Sequence, residues 1–373
     1  MRAGSELSRP EGRPPGEDDS GPVAASVERF CRETIDPRVE RPELVVPGSE
    51  LARIAAGARE AGILPSPGAP GFALWEDARE AGALARSLAI LERLGESCAG
   101  IAFHLHRVSL AARVARETRI VASNDPALHL GGMGWDGLAE LLSGGSALPA
   151  AALDGEPLLV HAAEPWDELW MAAVDGAEPC WLRLPRPALR VAAVAGQHGL
   201  DEMPLWEVRV PRASAERAVA RGEPARRILA DALCISALGM VAMALGAARH
   251  GLRLARAHAA ARRQGGASIR EHPAVQQLLG EAAAAVATVA AALGGVNALP
   301  STVAGLAQAL GLRATAHRLL CESANASLQI MGGMGYMRDA GAEKIVRDEN
   351  HLRLLEGSPS ELWRFIARAE GQP

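Results

Sequence analysis

Glu356 closes a segment that reads Arg347-Asp348-Glu349-Asn350-His351-Leu352-Arg353-Leu354-Leu355-Glu356-Gly357-Ser358, downstream of a glycine cluster, Gln329-Ile330-Met331-Gly332-Gly333-Met334-Gly335-Tyr336. A carboxylate can take a weakly acidic proton only where it is held close to that proton in a dry site. Glu356 is the candidate for that work; the bland alternative is a solvated residue ahead of a glycine that stops a helix. Gly332, Gly333 and Gly335 let the backbone approach a phosphate or an adenine, and Gln329 offers an amide beside them. A helix-breaking turn without a ligand is the other reading. Arg347-Asp348 reads most simply as a structural ion pair orienting the helix before Glu356. The histidines offer no metal site, since His104 and His106, two apart, leave a helix in different directions.

These residues need elements to position them. With 373 residues the chain can bury a large core, and its 49% hydrophobic but only 3% aromatic composition predicts helices that pack through Ala, Leu and Val with backbones close together. Residues 1–22 read as a disordered leader rich in Gly, Pro, Glu and Asp, without the apolar run of a signal peptide. Helical spacing of apolar residues over 23–131 predicts an N-terminal helical domain, and short runs between turn residues over 132–212 a small β domain. Examples are Leu169 to Val174 and the alternating Leu205 to Val210. From 213 to 373 the pattern returns to long Ala- and Leu-rich helices, broken at Gly265-Gly266, Gly294-Gly295 and Gly332-Gly333. The apolar run Ile228 to Ala247 reads as a buried core helix, because it carries Asp231, Cys234 and Ser236 and runs into Arg249 and Arg253.

The net charge of -5 and the dispersed arginines exclude nucleic acid as the main partner, and Lys344 is the only lysine. Cys31, Cys98, Cys180, Cys234 and Cys321 are odd in number and far apart, which fits neither zinc-ligand spacing nor a disulfide framework. A reducing cytoplasmic location is expected.

Gln329 to Tyr336, Arg347-Asp348 and Glu356-Gly357-Ser358 stand in a register that resembles the C-terminal signature of the acyl-CoA dehydrogenase family: Q-x-x-G-G-x-G-[YF], then R-D, then E-G-[ST]. Arg262-Arg263-Gln264-Gly265-Gly266 resembles its R-x-x-F-G, and Leu153-Asp154-Gly155 its L-N-G hairpin. The resemblance implies a mostly α fold with an N-terminal helical domain, a small central β domain and a C-terminal four-helix bundle. It implies α,β-dehydrogenation of an acyl thioester on CoA or an acyl carrier protein, with Glu356 as base and FAD as hydride acceptor. It assigns Gln329, Gly332, Gly333 and Gly335 to the ADP half of FAD, often that of a neighbouring subunit, and Arg262 to the pyrophosphate; read from sequence alone, Arg262 is equally a solvated helix-end residue. Gly357 and Ser358 fall beside the same site, and a homo-oligomer or a hetero-oligomer with a full-length relative is implied.

The sequence also departs from that family. Its T-E-P-x-A-G-S-D loop is expected to be missing, because Ser146 to Ala152 lead almost directly into the hairpin. In W-I-[TS]-N the tryptophan position reads Leu159, and the hydroxyl position, which contacts the flavin ring, reads His161. Gly265 stands for the phenylalanine of R-x-x-F-G. FAD is therefore expected to be weakly held or absent in the isolated chain. Two alternatives follow: a flavin-deficient partner subunit of a hetero-oligomeric acyl-CoA dehydrogenase, and a non-redox acyl-thioester enzyme, a dehydratase or isomerase.

Overall fold

The computed structural model describes residues 21–370 except 43, 45, 67–73, 81, 131–134, 136–137, 143–156, 176–177, 212–213, 215–216 and 301. Residues 1–20 of the leader expected over 1–22 and the hairpin Leu153-Asp154-Gly155 lie outside them, while residues 21 and 22 begin the first helix.

Helices α1 (Gly21–Phe30), α2 (Asp36–Val39), α3 (Gly48–Glu60), α4 (Ala83–Ser97) and α5 (Ala99–Glu117) form the N-terminal layer, with a π-helical turn, Cys31–Ile35, between the first two. The apolar positions at helical spacing, Leu51, Ile54 and Ala55 of α3 and Leu84, Leu88, Leu91 and Leu94 of α4, are all buried.

The β layer holds two sheets. One has the order β1 (Pro126–His129), β3 (Glu168–Asp175), β4 (Glu178–Pro185), β7 (Ala218–Arg221); the other has β2 (Leu158–His161), β6 (Leu205–Arg209), β5 (Arg190–Val194). β1 runs parallel to β3, and the other pairs are antiparallel. Strand alternation divides β3 between two cores: Leu169, Met171 and Ala173 pack with Leu158, Val160 and Val208 of the second sheet, while Trp170, Ala172 and Val174 join the helical core. A short helix, α6 (Leu138–Leu142), lies between β1 and β2. β1 lies ahead of residue 132 and β7 beyond residue 212, so the sheets draw on chain outside the span expected for the β domain.

The C-terminal bundle comprises α7 (Gly222–Ala261), α8 (Pro273–Gly294), α9 (Val303–Met331), α10 (Ala342–Leu354) and α11 (Pro359–Glu370), with a small hairpin, β8 (Arg263–Gln264) and β9 (Ala267–Ser268), after α7. The apolar stretch of α7 is 94% buried, as a core helix requires. α7 and α4 approach until their backbones touch: a Cβ at Gly246 would lie 2.0 Å from the Glu92 carbonyl oxygen, and one at Gly95 2.2 Å from that of Met243. This close approach is how a core poor in aromatics reaches native density. α8 differs, since only 22% of its apolar stretch is buried.

Candidate active site at the corner between α10 and α11

α10 ends at Leu354, and the chain turns sharply through Leu355, Glu356 and Gly357 into α11. Glu356 sits at φ +50°, a left-handed conformation uncommon for a residue with a Cβ, and Gly357 at φ +111°. The corner is held from three sides. Arg313 of α9 donates to the carbonyl oxygens of Leu355 and, at 3.3 Å, Glu356, satisfying acceptors that the end of α10 leaves open. Ser358 caps α11: its N–H and its hydroxyl both donate to the Glu361 carboxylate at 2.7 Å, with Pro359 at the first helical position. Trp135 lies against Gly357 so closely that a Cβ there would be 2.2 Å from the indole Nε1.

The Glu356 carboxylate is directed inward. Arg107 of α5 donates to Oε1, and the Ser236 hydroxyl of α7 to Oε2 at 2.6 Å. Both members of the ion pair are buried, with side chains 7% and 9% exposed. Arg107 is fixed in turn by the Leu128 carbonyl of β1 at 2.7 Å, and its guanidinium lies over the Phe103 ring at 5.5 Å. Burial acts to raise the Glu356 pKa, but the charge of Arg107, the Ser236 hydrogen bond and the charge of Arg313 outweigh it and hold the carboxyl below its ordinary range. Burial lowers Arg313 to about 10, which leaves it protonated at neutral pH. The site therefore holds an ionised base whose two oxygens are both engaged by its own chain.

His161 projects from β2 into the same region, and Arg107 acts electrostatically on both it and Glu356. Its Nε2 lies 3.1 Å from Nε2 of His351 on α10; the rings meet edge to face with centroids 5.0 Å apart, and Phe103 meets His161 the same way at 5.9 Å. Leu159, two residues earlier on β2, is 58% exposed.

The structure separates the other sequence candidates from this corner. Arg262 ends α7 exposed, and Gln329 and Gly333 are exposed at the end of α9, where Gly332 takes φ +58° and Gly335 is buried. Ala259, Ile269 and Ile330 share one small apolar cluster, so Arg262 and the glycine turn stand at the same end of the bundle. α10, about 20 Å long by its rise, separates that end from Glu356. Arg347 and Asp348 do not pair with each other, contrary to the expectation from their adjacency. Arg347 reaches Asp201 at 2.6 Å and Glu343 at 2.7 Å, whereas Asp348 bonds Lys344 at 2.5 Å and accepts the Leu200 N–H at 2.8 Å. Both tie α10 to the loop before β6, with Glu202 on Lys344 at 3.1 Å as a further bond. A cavity of about 850 Å³ lined by Cys98, Glu202, Lys344 and Asp348 lies apart from Glu356 and His161, neither of which lines it.

Sequence reasoning missed Arg107, Ser236, Arg313, Trp135 and the role of His351. A signal existed for one of them: Ser236 interrupts an apolar run.

The fit of FAD divides along the same line. The turn from Gly332 to Tyr336, with exposed Met334, Tyr336 and Met337, leaves backbone open to a ligand or a partner. At the ring half, His161 stands where the resemblance implies a flavin-contacting hydroxyl, and its Nε2 is already met by His351 Nε2 at 3.1 Å, so a ring bonded there would have to displace His351. The loop expected to be missing falls on Ser146 to Gly155, outside the described residues; Trp135 nevertheless brings the segment after β1 against the Glu356 corner.

Comparison with known proteins points one way. The family model for the acyl-CoA dehydrogenase C-terminal domain matches residues 226–371. Among solved structures, butyryl-CoA dehydrogenase from Megasphaera elsdenii superposes with a TM-score of 0.73 at 16% identity, covering 96% of this chain and 100% of that one. The prolyl acyl carrier protein oxidase AnaB gives 0.73 at 14% identity over 94% and 98% of the two chains. Nitroalkane oxidase crystallised with 1-nitrooctane gives 0.71 at 16%, over 94% and 95%. No curated protein sequence matches the chain.

Proposed function

We propose that this chain, whose residues 226–371 match the family model of the acyl-CoA dehydrogenase C-terminal domain and which shares the fold of butyryl-CoA dehydrogenase, is a member of the acyl-CoA dehydrogenase family that acts on an acyl thioester, with Glu356 as the group that takes the α-proton, the proton-removing half of an α,β-dehydrogenation. The observation that carries this reading is the corner itself. Four elements, α5, α7, α9 and the segment after β1, converge to hold one carboxylate in a left-handed turn away from solvent. A solvated residue before a helix stop needs none of these partners.

The geometry sets out what the residues do. Arg107 keeps Glu356 ionised, so the base is in its proton-accepting form at neutral pH, but the same contact makes it a weak base. A substrate carbonyl that draws the Arg107 guanidinium to itself would free Oε1, raise the Glu356 pKa in a site closed to water, and stabilise the enolate oxygen as the proton leaves. Ser236 would hold the other oxygen in place. FAD supplies hydride acceptance in this family. Arg262, Gln329, Gly332, Gly333 and Gly335 would hold its ADP half; removal of the α-proton does not depend on it, whereas completing the dehydrogenation does. The test is exchange of the α-proton of a saturated acyl thioester with solvent deuterium.

The misfit of the flavin ring favours a second reading, in which the chain is the flavin-deficient member of a hetero-oligomer and lends its exposed glycine turn and α8 to a full-length relative. Mixing with such a relative and measuring flavin content tests this. Five cysteines, all buried and unpaired, support a reducing, cytoplasmic location in either reading.

A further inference from the structure

We propose that the contact between His161 and His351 is a plug that fills the place of a flavin ring between the β domain and α10, so that the chain on its own takes up no flavin. The inference rests on the reading that this is the family's site, and it explains the misfit by two named side chains. The Gly199 N–H donates to His351 Nδ1 at 3.2 Å. That bond leaves the proton of a neutral His351 on Nε2, from which it donates to His161 Nε2 at 3.1 Å. The ladder of Gly199, His351 and His161 fixes both tautomers without a charge.

Packing makes the ladder a plug and not a chance encounter. Phe103 of α5 abuts the His161 ring, and His161 lies in register opposite Leu205 on β6, which fixes its strand. The loop carrying Gly199 is bound to α10 by Asp348, Arg347 and Lys344, so β2, the loop before β6 and α10 are tied at one point. The charged and titratable groups facing the pair are Arg107 from α5, and His198 and Asp201 from the loop. A second proton on His161 would set two N–H groups against each other at 3.1 Å beside the Arg107 charge, one on His351 would set its Nδ1–H against the Gly199 N–H at 3.2 Å, and burial opposes both. The plug is thus stable at neutral pH.

The experiment is titration of FAD and FMN into the purified full-length chain, followed by flavin fluorescence and visible absorbance, for wild type, His351→Ala, His161→Thr and the double substitution. Wild type is expected to leave both spectra unchanged and to elute colourless from gel filtration. The double substitution opens the gap and is expected to tighten flavin binding on the order of tenfold or more. His351→Leu, which keeps the space filled, is expected to fold and still exclude flavin, and circular dichroism establishes folding for each variant. Stoichiometric flavin in the wild type overturns the proposal. So do folded variants that gain no affinity, because the plug would then not be the cause of exclusion. If the variants do not fold, imidazole ¹⁵N shifts of the wild type decide: the proposal requires both rings neutral with the His351 proton on Nε2, and any other pattern contradicts it. Flavin binding is read here without turnover, so failure of the plug is distinguishable from failure of Glu356 as base, which α-proton exchange reports.

Discussion

Arg107 and Glu356, 249 residues apart in sequence, form an ion pair closed to solvent at the meeting point of α5 and the corner after α10. Each side chain is also held elsewhere, Arg107 by Leu128 and Glu356 by Ser236, so neither can leave without exposing an uncompensated charge in a dry site.

Arg107→Gln should therefore destabilise the protein by about 3–5 kcal/mol, the range for removing one member of a buried pair. It should also raise the Glu356 pKa, since the largest influence holding it down is gone. In the wild type the lowered pKa contributes stability that is present above the unfolded value of 4.5 and is lost as pH falls through the folded value. The acid limb of the unfolding profile should then move to higher pH in the variant. Thermal melts across acidic pH would show it, and an unmoved limb would show that Arg107 does not set the Glu356 charge.

Gly357→Ala adds a Cβ at φ +111° and 2.2 Å from the Trp135 indole nitrogen. Strain and overpacking together predict a loss of about 2–4 kcal/mol. Trp135→Ala in the same background should restore part of that stability in a double-mutant cycle; additive losses would mean that the two residues do not meet.

Glu349 is fully buried with neither carboxylate oxygen hydrogen-bonded, and His317 Nδ1 is 3.9 Å away. Burial, with the nearby charge of Asp348, pushes its pKa well above 4.5. The sign follows: a raised folded pKa favours the folded state below the unfolded value and counts against it as pH rises. Glu349→Gln should thus raise the melting temperature at about pH 8, with a gain that shrinks toward about pH 5. A gain independent of pH would point to packing alone.

The exposure of α8, with Met334, Tyr336, Met337 and Trp363 exposed elsewhere on the bundle, is more apolar surface than a monomer ordinarily leaves in water. Light scattering at micromolar concentration is expected to report an oligomer, and Ala284→Asp and Ala291→Asp on the exposed face of α8 to shift it toward monomer. A wild-type monomer would contradict the expected assembly.

The parts legible in the sequence were those written in local pattern. α7 declares itself through a long apolar run that a core helix must bury, β6 through alternation, and Glu356 through a register spread over one short stretch of chain. β1 was missed because four residues form a strand only through parallel pairing with β3, a partner some forty residues on. Arg107 and Arg313 were missed for a related reason: among dispersed arginines, nothing in sequence marks the two whose helix faces turn inward. The adjacency of Arg347 and Asp348 misled, because consecutive residues on a helix point apart and each found its partners one turn away or on another loop.

The central claim is that Glu356 removes the α-proton of an acyl thioester, and solvent exchange measures that step without requiring hydride transfer. In deuterium oxide, the wild-type chain should incorporate deuterium at the α-carbon of a saturated acyl-CoA, followed by mass spectrometry. Glu356→Gln keeps the shape of the side chain but cannot accept the proton, and should slow exchange by about 10²–10⁴-fold while the melting curve remains cooperative. Exchange at the wild-type rate in a folded Glu356→Gln variant would contradict the account.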